Sequence, residues 1–210
     1  MYLASRRTRV TSAAGLEWAT TIQAHVKEAT GNDLQLWGNI HSAGFGTISW
    51  TWWWADLTSL EQAFDKLQVD PKYNELAAAG ADLIEGDIDD ALYQTISGDP
   101  DPGDVGTVQY VASVRAVAAA GNLVRSVTAG LEIAEKATAI GGHNTLFLRS
   151  LTGPYGEIGW LTGYPDLAAV GAAQDKLAAD PEWLTFLDTT GTAFVEDPSV
   201  TVATLFRKLA

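Results

Sequence analysis

The sequence contains no cysteine, and it contains only three histidines among its 210 residues. The lack of cysteine excludes disulfide bonds and thiolate chemistry, and it leaves the redox environment of the protein undetermined. The histidines are His25, His41 and His143, and none has a second histidine three or four positions away. Because a zinc site needs several such ligands close together, we expect no metal site.

Basic residues are half as numerous as acidic ones, 13 against 26, so the formal net charge is −13. A field of that sign repels phosphate backbones and anionic lipid surfaces, and we therefore expect no nucleic-acid partner and no membrane partner. Long apolar runs are also missing, since no segment approaches the roughly 20 residues that cross a bilayer. The first residues already belong to a repeated segment, so we expect no signal peptide and a cytoplasmic location.

Several motifs with a known chemical role are absent as well. The chain has no Gly-x-Gly-x-x-Gly turn between a strand and a helix, no Gly-Lys-Ser/Thr phosphate loop and no Gly-x-Ser-x-Gly elbow. The acidic tracts at 87–90 and 99–104 lack the spacing of a calcium-binding loop, and we interpret them as solvated loops. We therefore expect no cofactor.

The sequence does contain an internal tandem repeat of one domain. Most matches between the two copies lie at a constant offset of 110 positions, and the first strands match at an offset of 108. The matched segments include 65–67 with 175–177, 70–71 with 180–181, Trp50 with Trp160, and 2–5 with 110–113.

Each copy shows the hydrophobic periodicity of a β-α-β-β-α-β unit. In the first copy we predict a helix that begins after Ser59, an acidic loop at 82–90 and a fourth strand at 91–96. A polar stretch rich in proline and glycine separates the copies. The predicted domains are a first ferredoxin-like unit at 1–98, a linker at 99–106 and a second ferredoxin-like unit at 107–210.

The segment Asp180-Pro181-Glu182-Trp183 follows an amphipathic helix, and Asp70-Pro71-Lys72-Tyr73 is a looser copy of it. This pattern within a β-α-β-β-α-β unit resembles the dimeric α/β-barrel superfamily, in particular its NIPSNAP-like and antibiotic-biosynthesis-monooxygenase-like members. In that superfamily two units, usually of a homodimer, pack sheet against sheet. The resemblance implies an α+β fold in which two tandem units of one monomeric chain form a pseudo-dimeric α/β barrel. Whether such chains assemble into further homo-oligomers is left open by the sequence.

Strand alternation divides the side chains between two faces of each predicted sheet. Matched apolar residues are assigned to the helix-covered face: Leu34, Leu36, Ile40, Ile48 and Trp50, with Leu146, Leu148, Ile158 and Trp160 in the second copy. The opposite face then mixes aromatic and polar residues, which favours a ligand cavity. It carries Arg7, Trp37, Asn39, His41 and Trp53, with Arg115, Phe147, Arg149 and Glu157 in the second copy.

The resemblance also implies roles for some of these residues. Cofactor-free monooxygenases of this fold bind aromatic substrates with asparagine, tryptophan and arginine, which implies catalytic roles for Asn39 and Arg7. His41 is a candidate acid or base because imidazole titrates near neutral pH, although a solvent-facing strand end is an alternative interpretation. Trp37 and Trp53 are predicted to stack on an aromatic or apolar small molecule.

The charged residues of the second copy allow two interpretations. Arg115, Arg149 and Glu157 either bind the ligand or form a buried ion network without one. A haem group would need an axial histidine, for which His41 and His143 are the candidates. The predicted function is a small-molecule enzyme or ligand binder, with cofactor-independent oxygenation of an aromatic or polyketide-like substrate. The alternative is a non-catalytic binding or assembly module.

Overall fold

The computed structural model describes residues 1–40, 46–100, 107–197 and 199–210 of the chain. Their strands and helices are, in chain order, β1 (Tyr2–Val10), α1 (Ala13–Thr30), β2 (Gln35–Ile40), β3 (Thr47–Trp54), α2 (Leu57–Gln68), α3 (Pro71–Ala79), β4 (Ile84–Ser97), β5 (Tyr110–Val117), α4 (Leu123–Gly141), β6 (Thr145–Ser150), β7 (Glu157–Tyr164), α5 (Leu167–Ala179), α6 (Pro181–Gly191) and β8 (Val202–Lys208). None of these helices has both the length and the hydropathy needed to cross a bilayer.

Hydrogen bonds join the strands in the order β1-β3-β2-β8-β5-β7-β6-β4, which closes on itself as a barrel. Each half of the chain follows the order β-α-β-β-α-β, with the second helix divided into two. The predicted fold class, an α+β pseudo-dimeric barrel of two tandem ferredoxin-like units, is therefore confirmed.

Compactness divides the chain into two units. Unit 1 contains Met1–Leu92 and Arg207–Ala210, and unit 2 contains Tyr93–Phe206. The division falls inside β4 and β8, so each half of the chain contributes the end of its last strand to the unit built from the other half. The predicted boundaries at 98 and 107 describe the repeat in the sequence, and they stay a prediction.

The core of unit 1 lies between its sheet and α1. Buried apolar side chains fill it: Ala19, Ile22, Leu34, Leu36, Ile48 and Trp50. The indole nitrogen of Trp50 donates a hydrogen bond of 3.2 Å to the carbonyl of Ala19 on α1. The outer edge of β2 is paired as well, because Leu36 exchanges backbone hydrogen bonds with Leu209 and Ala210.

The core of unit 2 repeats this arrangement. Its buried residues are Ala116, Ala134, Phe147, Ile158 and Trp160. The indole nitrogen of Trp160 donates a 2.8 Å hydrogen bond to the carbonyl of Gly130 on α4. Here the sheet continues through β6 to the second half of β4, which pairs from Tyr93 to Ser97. Each helix is thus fixed to its sheet by a tryptophan at the same place in the repeat.

Helix starts are also matched between the halves. Asp70 and Asp180 each accept hydrogen bonds from two backbone N–H groups at the start of a proline-led helix. Asp56 caps α2 by accepting from the N–H of Ser59. The helix therefore begins at Leu57, and the predicted start after Ser59 is wrong by one turn because aspartate at 56 supplies the cap.

The acidic tract at 82–90 is not the predicted loop. From Ile84 onward it belongs to β4, which is 14 residues long. Carboxylates are poor strand formers, but here they meet arginines of β1, the strand beside β4. Arg6 pairs with Asp90 at 2.6 Å, and Arg9 pairs with Glu85 at 3.2 Å. Cross-strand charge pairing of this kind stabilises a strand that its composition alone disfavours.

The predicted faces of β6 are reversed in the structure. Phe147 is fully buried against α4, where a methyl group on Gly130 would lie 2.4 Å from its ring. In the first half Leu36 pairs with Trp50. At the offset of 110 its counterpart is Leu146, but the residue that pairs with Trp160 is the next one, Phe147. The hairpin of the second half is one residue shorter, and a one-residue shift turns every side chain of a strand to the other face.

The contact between α4 and the sheet leads to a stability prediction. Gly130→Ala should lower the free energy of unfolding by about 1–3 kcal/mol, because the new methyl group overpacks the ring of Phe147. Gly171→Ala is the matched control, since nothing lies within 4 Å of a methyl group built there. Urea denaturation should show the control to be at least as stable as the parent. Equal stability of the two variants would contradict the close contact.

A second prediction concerns the carboxylate of Asp70. The N–H of Tyr73 and, to a smaller extent, His25 at 2.9 Å hold the pKa of this carboxyl below its usual value of 3.8. The folded-state pKa is thus lower than the unfolded-state pKa. The carboxylate therefore stabilises the folded protein fully above the unfolded-state pKa, and this stabilisation is lost as the pH falls through the folded-state pKa.

Two variants separate the causes. Asp70→Asn should flatten the acid side of a plot of unfolding free energy against pH. His25→Gln should flatten it less, because the hydrogen bond from Tyr73 survives. An equal effect of both variants in acid denaturation would show that His25, not the backbone, dominates.

Candidate ligand-binding site

Unit 2 contains a cavity of about 850 Å³ between its sheet and its helices. Strands β5 and β7 form the floor, α4 one wall, and α5 and α6 another. Described residues that follow α6 also line the cavity: Thr192, Phe194, Val195, Glu196, Asp197 and Thr201. Ligand pockets of small-molecule proteins have volumes of roughly 300–1,000 Å³, so this cavity is large enough for a compound of several fused rings.

The walls of the cavity are mainly apolar and aromatic. Trp160 and Trp183 are buried, and Phe194 packs edge-on to Trp160 with 5.8 Å between ring centroids. Aliphatic side chains of β5, α4 and α6 complete the surface: Val114, Ile133, Leu184 and Leu187. Aromatic side chains provide large apolar contact areas for the ring of a ligand.

Polar side chains gather where β6 begins and β7 ends. Tyr164 is 3% exposed, and its ring lies 4.7 Å from that of His143. Thr145 and Thr162 share a hydrogen bond of 2.9 Å. Burial raises the pKa of the Tyr164 hydroxyl, and hydrogen bonds with Thr162 and Gln174 oppose that shift. The phenol therefore stays neutral and can donate or accept a hydrogen bond.

The charged residues of the lining all have one sign. Asp188 lies on α6, and Glu196 and Asp197 lie in the segment after it. Hydrogen bonds from Ser199 lower the pKa of Asp197, so this carboxyl stays ionised. Among the described residues that line the cavity, none is lysine or arginine. Across the described part of the chain, no group of three or more acidic or histidine side chains is placed to hold a metal ion.

Of the residues predicted from sequence in the first half, four share one face of the sheet of unit 1. Arg7 and Trp37 both pair with Ser49, so the three lie side by side across β1, β3 and β2. Alternation places Asn39 and Trp53 on the same face. The indole nitrogen of Trp37 donates to the hydroxyl of Thr51 at 2.8 Å.

His41, the predicted acid or base, lies outside the described residues. The catalytic and binding roles of all these residues stay predictions.

The predicted charged set of the second half is divided. Glu157 is 7% exposed; Tyr93 donates to it at 2.9 Å, and Arg115 lies 3.7 Å away. Arg149 does not join them. It lies on the helix-covered face with Phe147 and donates to Gln94 at 2.6 Å. The shorter hairpin turns Arg149 to the other face from Arg115 and Glu157, and the ligand-binding or network roles of the three residues stay predictions.

The sequence singles out Trp160 and Trp183 of the cavity lining for their place in the repeat and His143 as a haem-ligand candidate, but it does not predict the cavity that they line. The signal that could have found the cavity is a difference between the two copies. At the offset of 110, Trp52 corresponds to Thr162 and Phe64 to Gln174. At two positions that the rest of the repeat would place in a core, the first copy thus has a large ring and the second copy has a smaller polar side chain.

Known structures resemble this fold, two of them over the whole length of the chain and one over about half of it. A presumed monooxygenase of Fusobacterium nucleatum superposes with a TM-score of 0.68 at 9% identity, covering 100% of this chain and 92% of that one. An anthrone oxidase-like protein gives 0.65 at 8% identity, with coverage of 100% and 91%. A NIPSNAP family protein of Agrobacterium tumefaciens matches 48% of this chain and 97% of its own, with 18% identity and a TM-score of 0.38.

No family model and no curated protein matches the sequence. The superpositions show a common fold, but at identities near 9% they say nothing about the chemistry, which has to be argued from the site. The chain has the dimeric α/β-barrel fold, with both halves supplied by one polypeptide.

Proposed function

We propose that this protein is a small-molecule enzyme that binds an uncharged aromatic compound in the cavity of unit 2. The observation that carries the proposal is a space of about 850 Å³ with tryptophan and phenylalanine walls and one polar end. Apolar walls with a few convergent polar groups are the usual design of a ligand site. Trp160 and Trp183 would contact the rings of the ligand, and Tyr164 and Gln174 would hydrogen-bond to an oxygen at its end.

The charge of the lining supports the choice of ligand class. An anionic ligand would meet Asp188, Glu196 and Asp197 without a lysine or arginine among the described lining residues to neutralise it. Like charges in a partly dehydrated space repel strongly. Carboxylated, phosphorylated or sulfonated compounds are therefore disfavoured, and a neutral polycyclic ketone or phenol fits the lining.

The proposed reaction is oxygenation without a cofactor. A presumed monooxygenase and an anthrone oxidase-like protein share the fold, and this motivates an activated methylene between two aromatic rings as the reacting group. Removal of a proton from that carbon gives a carbanion that reacts with dioxygen. One oxygen atom becomes a carbonyl and the other leaves as water with both methylene hydrogens. The substrate supplies all four electrons, so no external reductant is consumed.

Three side chains of the polar end have proposed roles in that step. His143, whose ring lies tilted against that of Tyr164, would accept the methylene proton as a general base. The hydroxyl of Tyr164 and the amide of Gln174 would stabilise negative charge as it moves onto the substrate oxygen.

The face of unit 1 that carries Arg7, Trp37, Asn39 and Trp53 is the second candidate place for the ligand. There the same roles would belong to Asn39 and Arg7, with His41 as the acid or base. Arg115 and Glu157 would bind a ligand on the corresponding face of the sheet of unit 2. The non-catalytic alternative, a binding or assembly module, predicts no turnover at either place.

Binding is tested first. Titration of tryptophan fluorescence with anthraquinone, a neutral three-ring compound, should show saturable quenching. Its sulfonate should bind more weakly because of the acidic lining. Tyr164→Phe should weaken anthraquinone binding about tenfold, the loss of roughly one hydrogen bond to a buried oxygen. Tyr155→Phe is the matched control, because Tyr155 is 88% exposed. Absence of quenching in folded protein would refute the ligand site.

Turnover is tested separately with anthrone and dioxygen, after subtraction of the uncatalysed reaction. Quinone and water should form without added cofactor, and oxygen consumption should match quinone formation one to one. His143→Gln should lower kcat by about a hundredfold or more while KM changes little, since a general base acts on the proton and not on ring contacts. Binding without turnover would leave a ligand binder and contradict the enzyme. A large loss on Trp37→Phe or Asn39→Ala would move the site to unit 1.

A further inference from the structure

We infer that the duplicated chain binds one ligand and not two, because unit 1 fills with bulky side chains the space that is open in unit 2. Thr162 and Gln174 are then the residues that decide which half accepts the ligand. This inference rests on the proposed function only for the existence of a ligand. Its own content is which of the two equivalent helix-covered places accepts the ligand, and this follows from a comparison of equivalent positions.

The equivalence of positions is fixed by hydrogen bonds in the two halves. Trp50 and Trp160 each donate to a carbonyl of the first helix of their own half. On the neighbouring strand, Arg6 pairs with Trp50 and Val114 pairs with Trp160. Two residues after each tryptophan come Trp52 and Thr162, on the same helix-covered face as the tryptophan.

The following helices are aligned by their caps. Asp56 and Asp166 begin α2 and α5 in the same way, each by accepting from the N–H three residues later. Phe64 therefore corresponds to Gln174. In unit 1 the rings of Trp52 and Phe64 pack together at 6.2 Å between centroids. In unit 2 the corresponding residues both line the cavity.

A third position also differs. Arg6 donates to Asp90 through two nitrogens, at 2.7 Å and 2.6 Å, and to the hydroxyl of Tyr73 at 3.3 Å. Its counterpart Val114 has no polar group and lines the cavity. A guanidinium held by three hydrogen bonds does not move aside at low cost. Unit 1 thus holds a ring pair and a fixed arginine where unit 2 holds threonine, glutamine and valine.

The difference has a direct consequence for ligand selection within the chain. A flat ligand stacked beside Trp160 occupies the volume that the ring pair of Trp52 and Phe64 occupies in unit 1. Interiors are packed closely enough that two ring systems cannot share that volume. The expected stoichiometry is one ligand for each chain, bound in unit 2.

The test uses the full chain, with anthraquinone as the probe and isothermal titration as the measurement. The parent protein should bind one equivalent. The double variant Thr162→Trp, Gln174→Phe copies unit 1 into unit 2, and its affinity should fall at least tenfold while its circular dichroism stays unchanged. Val124→Trp is the control, because it adds a ring at a position that is 81% exposed and outside the cavity lining, and it should keep the parent stoichiometry and affinity.

The converse variant opens unit 1. Arg6→Val, Trp52→Thr and Phe64→Gln together should give a second equivalent of bound probe. Should this triple variant fail to fold, the stoichiometry of the parent and the affinity of the double variant still test the inference. Two equivalents bound by the parent chain, or undiminished binding by the double variant, would overturn the inference and leave the proposed function standing. No binding to the parent at all would remove the proposed function, and this inference with it.

Discussion

Each half of the protein depends on one buried hydrogen bond between a tryptophan of the sheet and a carbonyl of the first helix. Trp50 and Trp160 make these bonds at 3.2 Å and 2.8 Å. An indole has a large apolar surface and a single donor, so burial at this place fixes both the distance and the rotation of the helix. A backbone without a side chain at Gly130 lets α4 approach the ring of Phe147 closely. That contact sets how close the α4 wall of the cavity lies to the sheet.

Much of this scaffold could be predicted from the sequence, because the features that repeat are the ones that act locally. The aspartate–proline caps depend on neighbours within one helix, and the matched tryptophans bond to a helix of their own half. The alignment of the copies reveals both. The acidic strand β4 was not predictable in the same way. Its carboxylates are stabilised by Arg6 and Arg9, which lie some 80 residues away in the sequence, and composition alone favours a loop.

The candidate site was predicted less well than the fold, for a geometric reason. The face of a strand is set by parity, and the hairpin before β7 is one residue shorter than its counterpart before β3. That single difference moved Phe147 and Arg149 to the helix side and left Leu146 and Leu148 on the other. The cavity itself arises from substitutions, and a search for shared residues between copies passes over positions where the copies differ.

The two halves differ in the ring that covers the edge of the anchoring tryptophan. In unit 1 Trp18 of α1 covers the edge of Trp50, with 5.6 Å between ring centroids, and its own indole nitrogen donates to the carbonyl of Leu76. In unit 2 the helix has alanine at that place, and Phe194 from the segment after α6 covers Trp160 instead. Because Phe194 also lines the cavity, a bound ligand would contact the ring that covers the anchor. Occupancy of the cavity is thus linked to the stability of unit 2, since a ligand that binds only the folded state stabilises it.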